Sequence, residues 1–123
     1  MKIKLDSADI LFSQWIRLRD LVCQRCGSPV KFNSKGFPVS HQASHFYGRG
    51  RENTRFEPDN CDTLDMGCHR IWGSDDRESY RNFKLKQLGE KRFNSLLIQA
   101  NTYRKKDRVF EALRWREALK SLK

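Results

Sequence analysis

The sequence predicts one α+β domain that is mainly helical, with a small β-containing segment near its centre. Apolar residues recur at helical spacing on both sides of that segment. Between residues 23 and 60 the period is lost, and glycine and proline are frequent, as in turns and short strands. Of the 123 residues, 37% are hydrophobic and 33% are charged. The centre therefore needs stabilisation beyond apolar burial.

The first helix is predicted over residues 7–22. Asp6 or Ser7 can cap its start, because a short polar side chain accepts hydrogen bonds from the free backbone N–H groups there. We expect one apolar stripe of this helix to face the core. The stripe consists of Leu11, Trp15, Leu18 and Val22.

One strand and four more helices are predicted after the first helix. The strand covers residues 39–47, and a helix restarts near Met66 and carries Cys68 and His69. Gly89 suits the residue just beyond a helix end, where a positive φ is favoured. The remaining helices therefore cover residues 76–88, 90–103 and 107–122.

The charge balance favours a polyanionic partner. The chain has 25 lysines and arginines against 15 aspartates and glutamates, a formal net charge of +10 at pH 7. Neutralising phosphates with such side chains releases condensed counterions, which drives binding to nucleic acid. Among the basic residues of the C-terminal region, Arg104, Lys105 and Lys106 are candidate nucleic-acid contacts.

No secretory or membrane-spanning segment is recognisable in the sequence. The N-terminal residues MKIKLDSAD lack a continuous apolar run, and no window is long enough to cross a bilayer. We therefore expect a cytoplasmic protein without a membrane partner. In that reducing compartment the 4 cysteines are expected to bind metal rather than form disulfides.

The cysteines predict a structural zinc ion. Cys23 and Cys26, followed by Gly27, form a CxxC pair on a tight turn that can bind one tetrahedral ion. Redox pairs share this spacing, so the zinc interpretation needs further ligands. Cys61 and Cys68 are the remaining thiols, and metal binding would stabilise a poorly apolar centre.

Two histidines and an asparagine have the chemistry that phosphodiester hydrolysis requires. A neutral His45 can take the proton from an attacking water, because the pKa of histidine lies near the working pH. Asn60 can hold that imidazole in place through hydrogen bonds to backbone or ring atoms. His69, near a helix start, can bind a divalent ion that neutralises charge on the scissile phosphate.

These residues lie in segments that resemble HNH (ββα-metal) endonucleases, most closely phage recombination endonucleases of the NinG (Rap) type. The segments are residues 12–20 (FSQWIRLRD), 23–27 (CQRCG), 44–49 (SHFYGR), 54–60 (TRFEPDN) and 68–69 (CH). The resemblance covers roughly residues 9–75. It implies a ββα-metal core with a structural zinc nearby, and cleavage of DNA to 5′-phosphate and 3′-hydroxyl ends.

The resemblance also implies a domain organisation. The whole chain, residues 1–123, would be one HNH nuclease domain. Residues 1–22 would form an N-terminal helix, residues 23–75 the zinc knuckle and ββα-metal core, and residues 76–123 a basic helical region.

Carried over by position, the resemblance assigns four catalytic residues. His45 matches the general base, Asn60 the residue that orients it, and His69 the ligand of the catalytic ion. Arg49 lies where a guanidinium can hold the scissile phosphate. Arg51 and Arg55 are weaker candidates for phosphate contact.

The catalytic metal site departs from the pattern of the family. Many members have an acid or a histidine just before the general base, but this chain has Ser44. Others add a histidine one turn after the metal ligand, but this chain has Gly73. His69 therefore remains the firm ligand, and Mg²⁺ or Mn²⁺ is expected because Mg²⁺ keeps several waters. His41 and Ser44 are alternatives for a further ligand, and a structural role is preferred for His41.

The zinc knuckle also departs from the pattern of the family. The usual form ends in Cys-x-x-Cys-His, and here Asp65 occupies its first thiol position. Asp65 is thus the preferred fourth ligand beside Cys23, Cys26 and Cys68, with Cys61 as the alternative. A carboxylate should hold zinc less tightly than a fourth thiolate.

The function predicted from these features is that of a metal-dependent DNA endonuclease with little sequence specificity. Branched recombination intermediates are one candidate substrate. No small-molecule cofactor beyond metals is expected, the oligomeric state stays open, and a phage-encoded protein would act in the cytoplasm of the bacterial host. The alternative is a non-catalytic zinc module that binds DNA.

Overall fold

The computed structural model describes residues 4–122 and has an α+β fold, 58% helical, with one two-stranded sheet. The predicted fold class, α+β and mainly helical, is confirmed. No described helix combines the length and apolarity needed to cross a bilayer. The elements are α1 (Ser7–Asp20), β1 (Gln42–His45), β2 (Cys61–Leu64), α2 (Met66–Arg70), α3 (Arg77–Ala100) and α4 (Arg108–Leu122).

Helix α1 begins as the sequence predicts but ends two residues earlier. The Asp6 carboxylate accepts from the N–H of Asp9, and the Asp9 carboxylate accepts from the N–H of Asp6, a reciprocal cap. The helix ends at Asp20 because Leu21 adopts a left-handed conformation with φ 66°.

The buried face of α1 differs from the predicted stripe. Ala8, Phe12 and Ile16 are at most 1% exposed. The residues of the predicted stripe are half-buried or exposed; they are Leu11, Trp15, Leu18 and Val22. Both faces of this helix carry apolar residues, so its own periodicity does not decide which one meets the core.

Strands β1 and β2 pair antiparallel, with Gln42 opposite Leu64 and His45 opposite Cys61. Strand β1 is shorter than the predicted strand over residues 39–47 because His41 has φ 66°, which ends the extended backbone on its N-terminal side. The order β1, β2, α2 makes a short hairpin that leads directly into a helix.

Each face of the hairpin packs on a different group of helices, because alternate residues of a strand point to opposite faces. On one side, Ala43 and Cys61 join Phe12 of α1 and Trp115 of α4. On the other side, Leu64 joins the second cluster, which contains Phe46, Cys68, Trp72, Tyr80, Leu88, Phe93 and Leu96. The hairpin therefore lies between two small apolar cores.

A buried ion pair ties β2 to α3. The side chains of Asp62 and Lys84 are both 0% exposed, and Lys84 Nζ lies 3.0 Å from Asp62 Oδ2. Tyr80 Oη and Gln87 Nε2 each donate to the same carboxylate at 3.0 Å. These hydrogen bonds compensate the two charges for the loss of water.

The C-terminal helices follow the prediction with two differences: the predicted helices over residues 76–88 and 90–103 form one element, α3, and that element ends at Ala100. Helix α3 has a break at Gly89, where φ is 80° and ψ is 161°, as expected for the residue predicted to end a helix. The chain then continues helically as far as Ala100, and α4 packs against α1. The predicted helix near Met66 is short: after Arg70 it passes into a wider π-type turn, Ile71–Asp75.

Candidate metal centre and adjoining pocket

Four side chains meet where the CxxC turn faces the start of α2. The ligand atoms of Cys23, Cys26, Asp65 and Cys68 all lie within 4.8 Å of one another. The turn is closed by a hydrogen bond from the N–H of Gly27 to the carbonyl of Cys23, 2.8 Å, and Gly27 has φ 80°. Three sulfurs and one carboxylate oxygen at this spacing are donors that zinc accepts in a tetrahedral site. The cluster thus fits the predicted zinc site.

Asp65 is held in the cluster from both of its oxygens. Its Oδ2 accepts from Cys26 Sγ at 2.9 Å and from Ser28 Oγ at 3.0 Å. Its Oδ1 accepts from the N–H of Cys68 at 2.8 Å, which caps α2. The hydrogen bonds from Cys26 and Cys68 hold the pKa of the Asp65 carboxyl well below its usual value. The carboxylate is therefore charged and oriented as a ligand.

Backbone and guanidinium groups surround the cluster sulfurs. Burial alone would raise the pKa of Cys23, but hydrogen bonds from the backbone of Cys26 and Asp65 lower it. Arg25 Nη1 lies 3.5 Å from Cys68 Sγ. Burial, with hydrogen bonds to Asp65 and the other two cysteines, nevertheless raises the pKa of Cys68 to about 12. Metal binding at this cluster therefore requires release of the Cys68 proton, since cysteine binds metal as the thiolate.

Cys61 lies outside this cluster. It is 0% exposed and packs with Phe12 and Phe56 on the other side of the hairpin. Burial raises the pKa of its thiol well above the usual value. The alternative in which Cys61 is the fourth zinc ligand is thus wrong: its place in β2 turns it toward α1, and Asp65 completes the group.

A pocket of ≈ 340 Å³ lies beside the hairpin and brings three of the four predicted catalytic residues together. It is lined by His45, Arg49 and His69, with Leu5, Ala43 and Gly48. A second pocket of ≈ 380 Å³ shares Arg49 and His69 and extends along α1. The site is thus an open cleft between α1, the hairpin and α2.

His45 has one engaged and one free ring nitrogen. Its Nε2–H donates to the carbonyl of Arg55 at 2.9 Å, which leaves the lone pair on Nδ1. Nδ1 is buried and has no hydrogen-bond partner among residues 4–122. Burial and, secondly, the charge of Arg49 lower the pKa of His45 to about 4. The imidazole is therefore neutral at pH 7.

Asn60 anchors the segment that carries Arg49. It is fully buried; its Oδ1 accepts from the N–H of Tyr47, and its Nδ2 donates to the carbonyls of Tyr47 and Thr54, at 2.8 to 3.1 Å. The Asn60 side chain bonds to the backbone of Tyr47 and Thr54 and to no atom of His45, so its role in orienting the His45 imidazole stays a prediction.

His69 and Arg49 supply the other polar groups of the pocket. His69 Nδ1–H donates to Oε1 of Gln42, and within the described chain Nε2 has no partner. Burial and Arg49 lower the pKa of His69. Arg49 Nε is buried without a hydrogen-bond partner among the residues described. An unpaired buried donor of this kind is unfavourable unless a ligand satisfies it.

The other candidate ligands of a catalytic ion are directed elsewhere. Ser44 is 1% exposed, lines neither pocket, and lies on the hairpin face that meets Tyr80. Both ring nitrogens of His41 are hydrogen-bonded, Nδ1 to Ser40 Oγ at 2.8 Å and Nε2 to Ser28 at 3.0 to 3.1 Å. The expected structural role fits His41, and Ser44 is wrong as a ligand.

The candidate phosphate contacts differ in their exposure and in their hydrogen-bond partners. Arg55 is wrong as a contact, because it is 6% exposed and binds the Asp9 carboxylate through Nε and Nη2 at 2.8 and 2.6 Å. Arg51 is exposed but donates to Asn101 Oδ1 at 2.8 Å. Arg104 and Lys105 are exposed and Lys106 is half-buried, all in the loop between α3 and α4.

Two residues at these sites were not predicted from the sequence. Ser28 links Asp65 to His41, and Gln42 contacts His69. Ser28 lies two residues after the CxxC pair and Gln42 is the first residue of β1, but their contacts with Asp65 and His69 span 37 and 27 residues of sequence. Such pairings follow from the tertiary fold and not from local spacing.

No protein-family model matches the chain, and neither a curated protein nor a solved structure gives a significant match.

Proposed function

We propose that this chain is a metal-dependent HNH endonuclease that hydrolyses DNA phosphodiester bonds on a ββα-metal core. One observation carries the proposal: His45, Arg49 and His69 line one pocket, and two buried atoms of these residues, His45 Nδ1 and Arg49 Nε, have no hydrogen-bond partner among the residues described. A base and a cation that line the same small pocket suit attack on an anionic ester. The sequence resemblance points to the same chemistry.

His45 serves as the general base in this proposal. Its Nδ1 accepts the proton of the attacking water, while the Nε2–H bond to the Arg55 carbonyl fixes the ring and its tautomer. The pKa of about 4 keeps the imidazole neutral at pH 7, although it limits its basicity. The negative charge of bound DNA offsets part of the repulsion from Arg49 and so raises that pKa in the complex.

Arg49 and His69 act on the phosphate side. Arg49 donates to a non-bridging oxygen, and its unpaired Nε gains a partner in the complex. His69 would hold the catalytic ion through Nε2 at the rim of the same pocket. A divalent ion such as Mg²⁺ or Mn²⁺ supplies neutralisation of the phosphate charge and of the leaving 3′ oxygen. Asn60 holds the Arg49 segment through the Tyr47 backbone.

The net charge of +10 supports a polyanionic substrate. The loop with Arg104 and Lys105 lies beside the segment that carries Arg49 and Glu52. Glu52 accepts from the N–H of Lys106 at 3.3 Å and binds Arg108 at 2.6 Å. This basic loop would extend the phosphate contacts without reading bases. We infer little sequence specificity, activity in the cytoplasm, and branched recombination intermediates as a candidate substrate.

The second candidate is a non-catalytic zinc module that binds DNA. The burial of Ser44 away from the pocket favours it, because the catalytic ion then has His69 as its one histidine ligand in the described structure. The unpaired atoms of His45 and Arg49 favour the nuclease, since binding alone requires no base.

A plasmid-nicking assay separates the two functions. Zinc-loaded wild type and His45→Ala are compared with Mg²⁺, with Mn²⁺ and with EDTA, after circular dichroism and zinc content establish that both are folded. We expect metal-dependent nicking by the wild type and a loss of about 10²–10⁴-fold in the variant. Tight DNA binding without nicking under any metal would contradict the nuclease and support the binding module.

A further inference from the structure

One polar contact at the pocket is not explained by the residues of the HNH pattern. Gln42, at the start of β1, receives a hydrogen bond at Oε1 from Nδ1–H of His69, on α2. The Gln42 side chain is exposed and belongs to neither apolar cluster. The side chain thus contributes to neither apolar core, and the contact needs another reason.

The backbone geometry brings the two residues together. Gln42 lies opposite Leu64 in the hairpin, and α2 begins two residues after Leu64. The cap formed by Asp65 fixes that start, because the carbonyl of Asp65 accepts from the N–H of His69 at 2.8 Å. His69 is thus set one turn into the helix, facing the first residue of β1.

The contact determines which nitrogen of His69 is free. A neutral imidazole has one N–H and one lone pair. If the amide oxygen of Gln42 takes the Nδ1 proton, the lone pair is on Nε2, which has no partner among residues 4–122. Histidines that bind metal commonly donate their other N–H to an oxygen in this way, which fixes both tautomer and ring orientation.

We propose that Gln42 is a positioning residue that fixes His69 in the Nδ1–H tautomer, so that Nε2 is the nitrogen that binds the catalytic divalent ion. This inference rests on the proposed nuclease function. It assigns a supporting role at the metal site to Gln42, a residue of the hairpin. Ser44, the hairpin residue that was an alternative ligand, is turned into the core. Gln42 acts through the ring and is not itself a ligand.

The test uses the full-length, zinc-loaded chain and two readouts besides activity. Histidine-ring ¹⁵N NMR at pH 7.5 reports the tautomer of His69 before any divalent ion is added, and Mn²⁺ titration by calorimetry reports affinity. The variants are Gln42→Ala, which removes the acceptor, and Gln42→Glu, which keeps an oxygen. Met66→Ala is the matched control, because Met66 is 76% exposed and lines the same recess beside His69 without bonding to its ring.

We expect the wild type, Gln42→Glu and Met66→Ala to show the Nδ1–H tautomer, and Gln42→Ala to lose it. Mn²⁺ affinity should fall about 10–100-fold in Gln42→Ala alone. An unchanged tautomer and an unchanged Mn²⁺ affinity in Gln42→Ala would overturn the role of Gln42 while leaving the proposed nuclease intact. If wild type and His69→Ala bind Mn²⁺ equally weakly and neither nicks DNA, the proposed function fails, and this inference fails with it.

Discussion

The zinc-type cluster contains Cys68 and the adjoining pocket contains the next residue, His69, but the chemistry of the two regions differs. In the cluster, four donor groups lie within 4.8 Å of one another, and Asp65 accepts hydrogen bonds from Cys26 Sγ and from the N–H of Cys68. In the pocket, Nδ1 of His45 and Nε of Arg49 are buried without partners in the part of the chain described. Structural metal sites have a closed ligand set, whereas catalytic sites keep open positions. From this comparison we expect the cluster to serve stability, and we place the proposed catalysis in the pocket.

The dependence between the two regions runs in one direction. Asp65 belongs to the cluster and also caps the helix that carries His69. We therefore expect a change in the cluster to disturb the pocket, and changes to the pocket side chains to leave the cluster intact. The predictions below test this asymmetry, beginning with the largest expected effect.

Loss of the cluster should abolish both stability and activity. Cys68→Ser removes one sulfur from the buried part of the cluster. Since metal binding in such small sites supplies folding free energy directly, we expect loss of zinc, a large drop in melting temperature and no DNA cleavage. Zinc analysis and thermal unfolding measure this, and Cys61→Ser, in the same chain but outside the cluster, is the control for zinc content. A zinc-free Cys68→Ser protein with wild-type stability would show that the cluster is not structural.

Loss of the pocket cation should affect cleavage alone. Arg49→Ala removes the guanidinium next to His45, and we expect nicking to fall about 10²–10³-fold, with zinc content and melting temperature retained. Arg92→Ala is the charge-matched control, because Arg92 is 59% exposed at the side chain and pairs with Asp59 outside the pocket. Equal losses for the two variants would mean that general charge, and not the position of Arg49, supports cleavage.

Substitution of Asp65 should have a smaller effect, a change in zinc affinity, which tests whether this residue belongs to the cluster as a ligand. Thiolates hold zinc more tightly than carboxylates in sites of this kind, so Asp65→Cys should resist a chelator better than the wild type. The same change removes the oxygen that caps α2, which costs about 1 kcal/mol. A competition titration with a colorimetric chelator measures the affinity. If Asp65→Cys and Asp65→Ala bind zinc as the wild type does, Asp65 is a helix cap and not a ligand.

The smallest expected effect is a pH dependence at His45. Burial and Arg49 lower its pKa from 6.5 to about 4, so between these values the unfolded chain binds a proton that the folded chain does not. Stability from this residue is present above pH 6.5 and is lost as the pH falls toward 4. NMR titration should give a midpoint near 4 for the wild type and a higher one for Arg49→Ala. A midpoint near 6.5 in the wild type would contradict the buried, unpaired imidazole.

The sequence was sufficient for the features that depend on local spacing. The CxxC pair, the Asp65–Cys68 pair and the helix break at Gly89 all follow from residues a few positions apart. The mainly helical α+β class also followed, because amphipathic periods survive in a single sequence.

Features that depend on tertiary pairing could not be predicted. Arg55 looked like a free basic residue, yet it binds Asp9, 46 residues away. The buried face of α1 was mistaken because Phe12 and Trp15 are both apolar and both contact Trp115 on α4, with ring centroids 4.7 and 5.1 Å apart. Phe12 also packs on Phe56 and is 1% exposed, whereas Trp15 is half-buried at the edge of the cluster. Gln42 carries no pattern of its own; its role arises only when α2 meets the hairpin.

The most direct test of the division between cluster and pocket is to measure zinc content and plasmid nicking in the same sample. The protein is dialysed until Mg²⁺ is removed while zinc is retained, assayed, and assayed again after Mg²⁺ is restored. We predict one zinc per chain throughout, no nicking without Mg²⁺ and nicking with it. Nicking that follows zinc content and needs no second metal would contradict the account, as would zinc-loaded protein that never nicks.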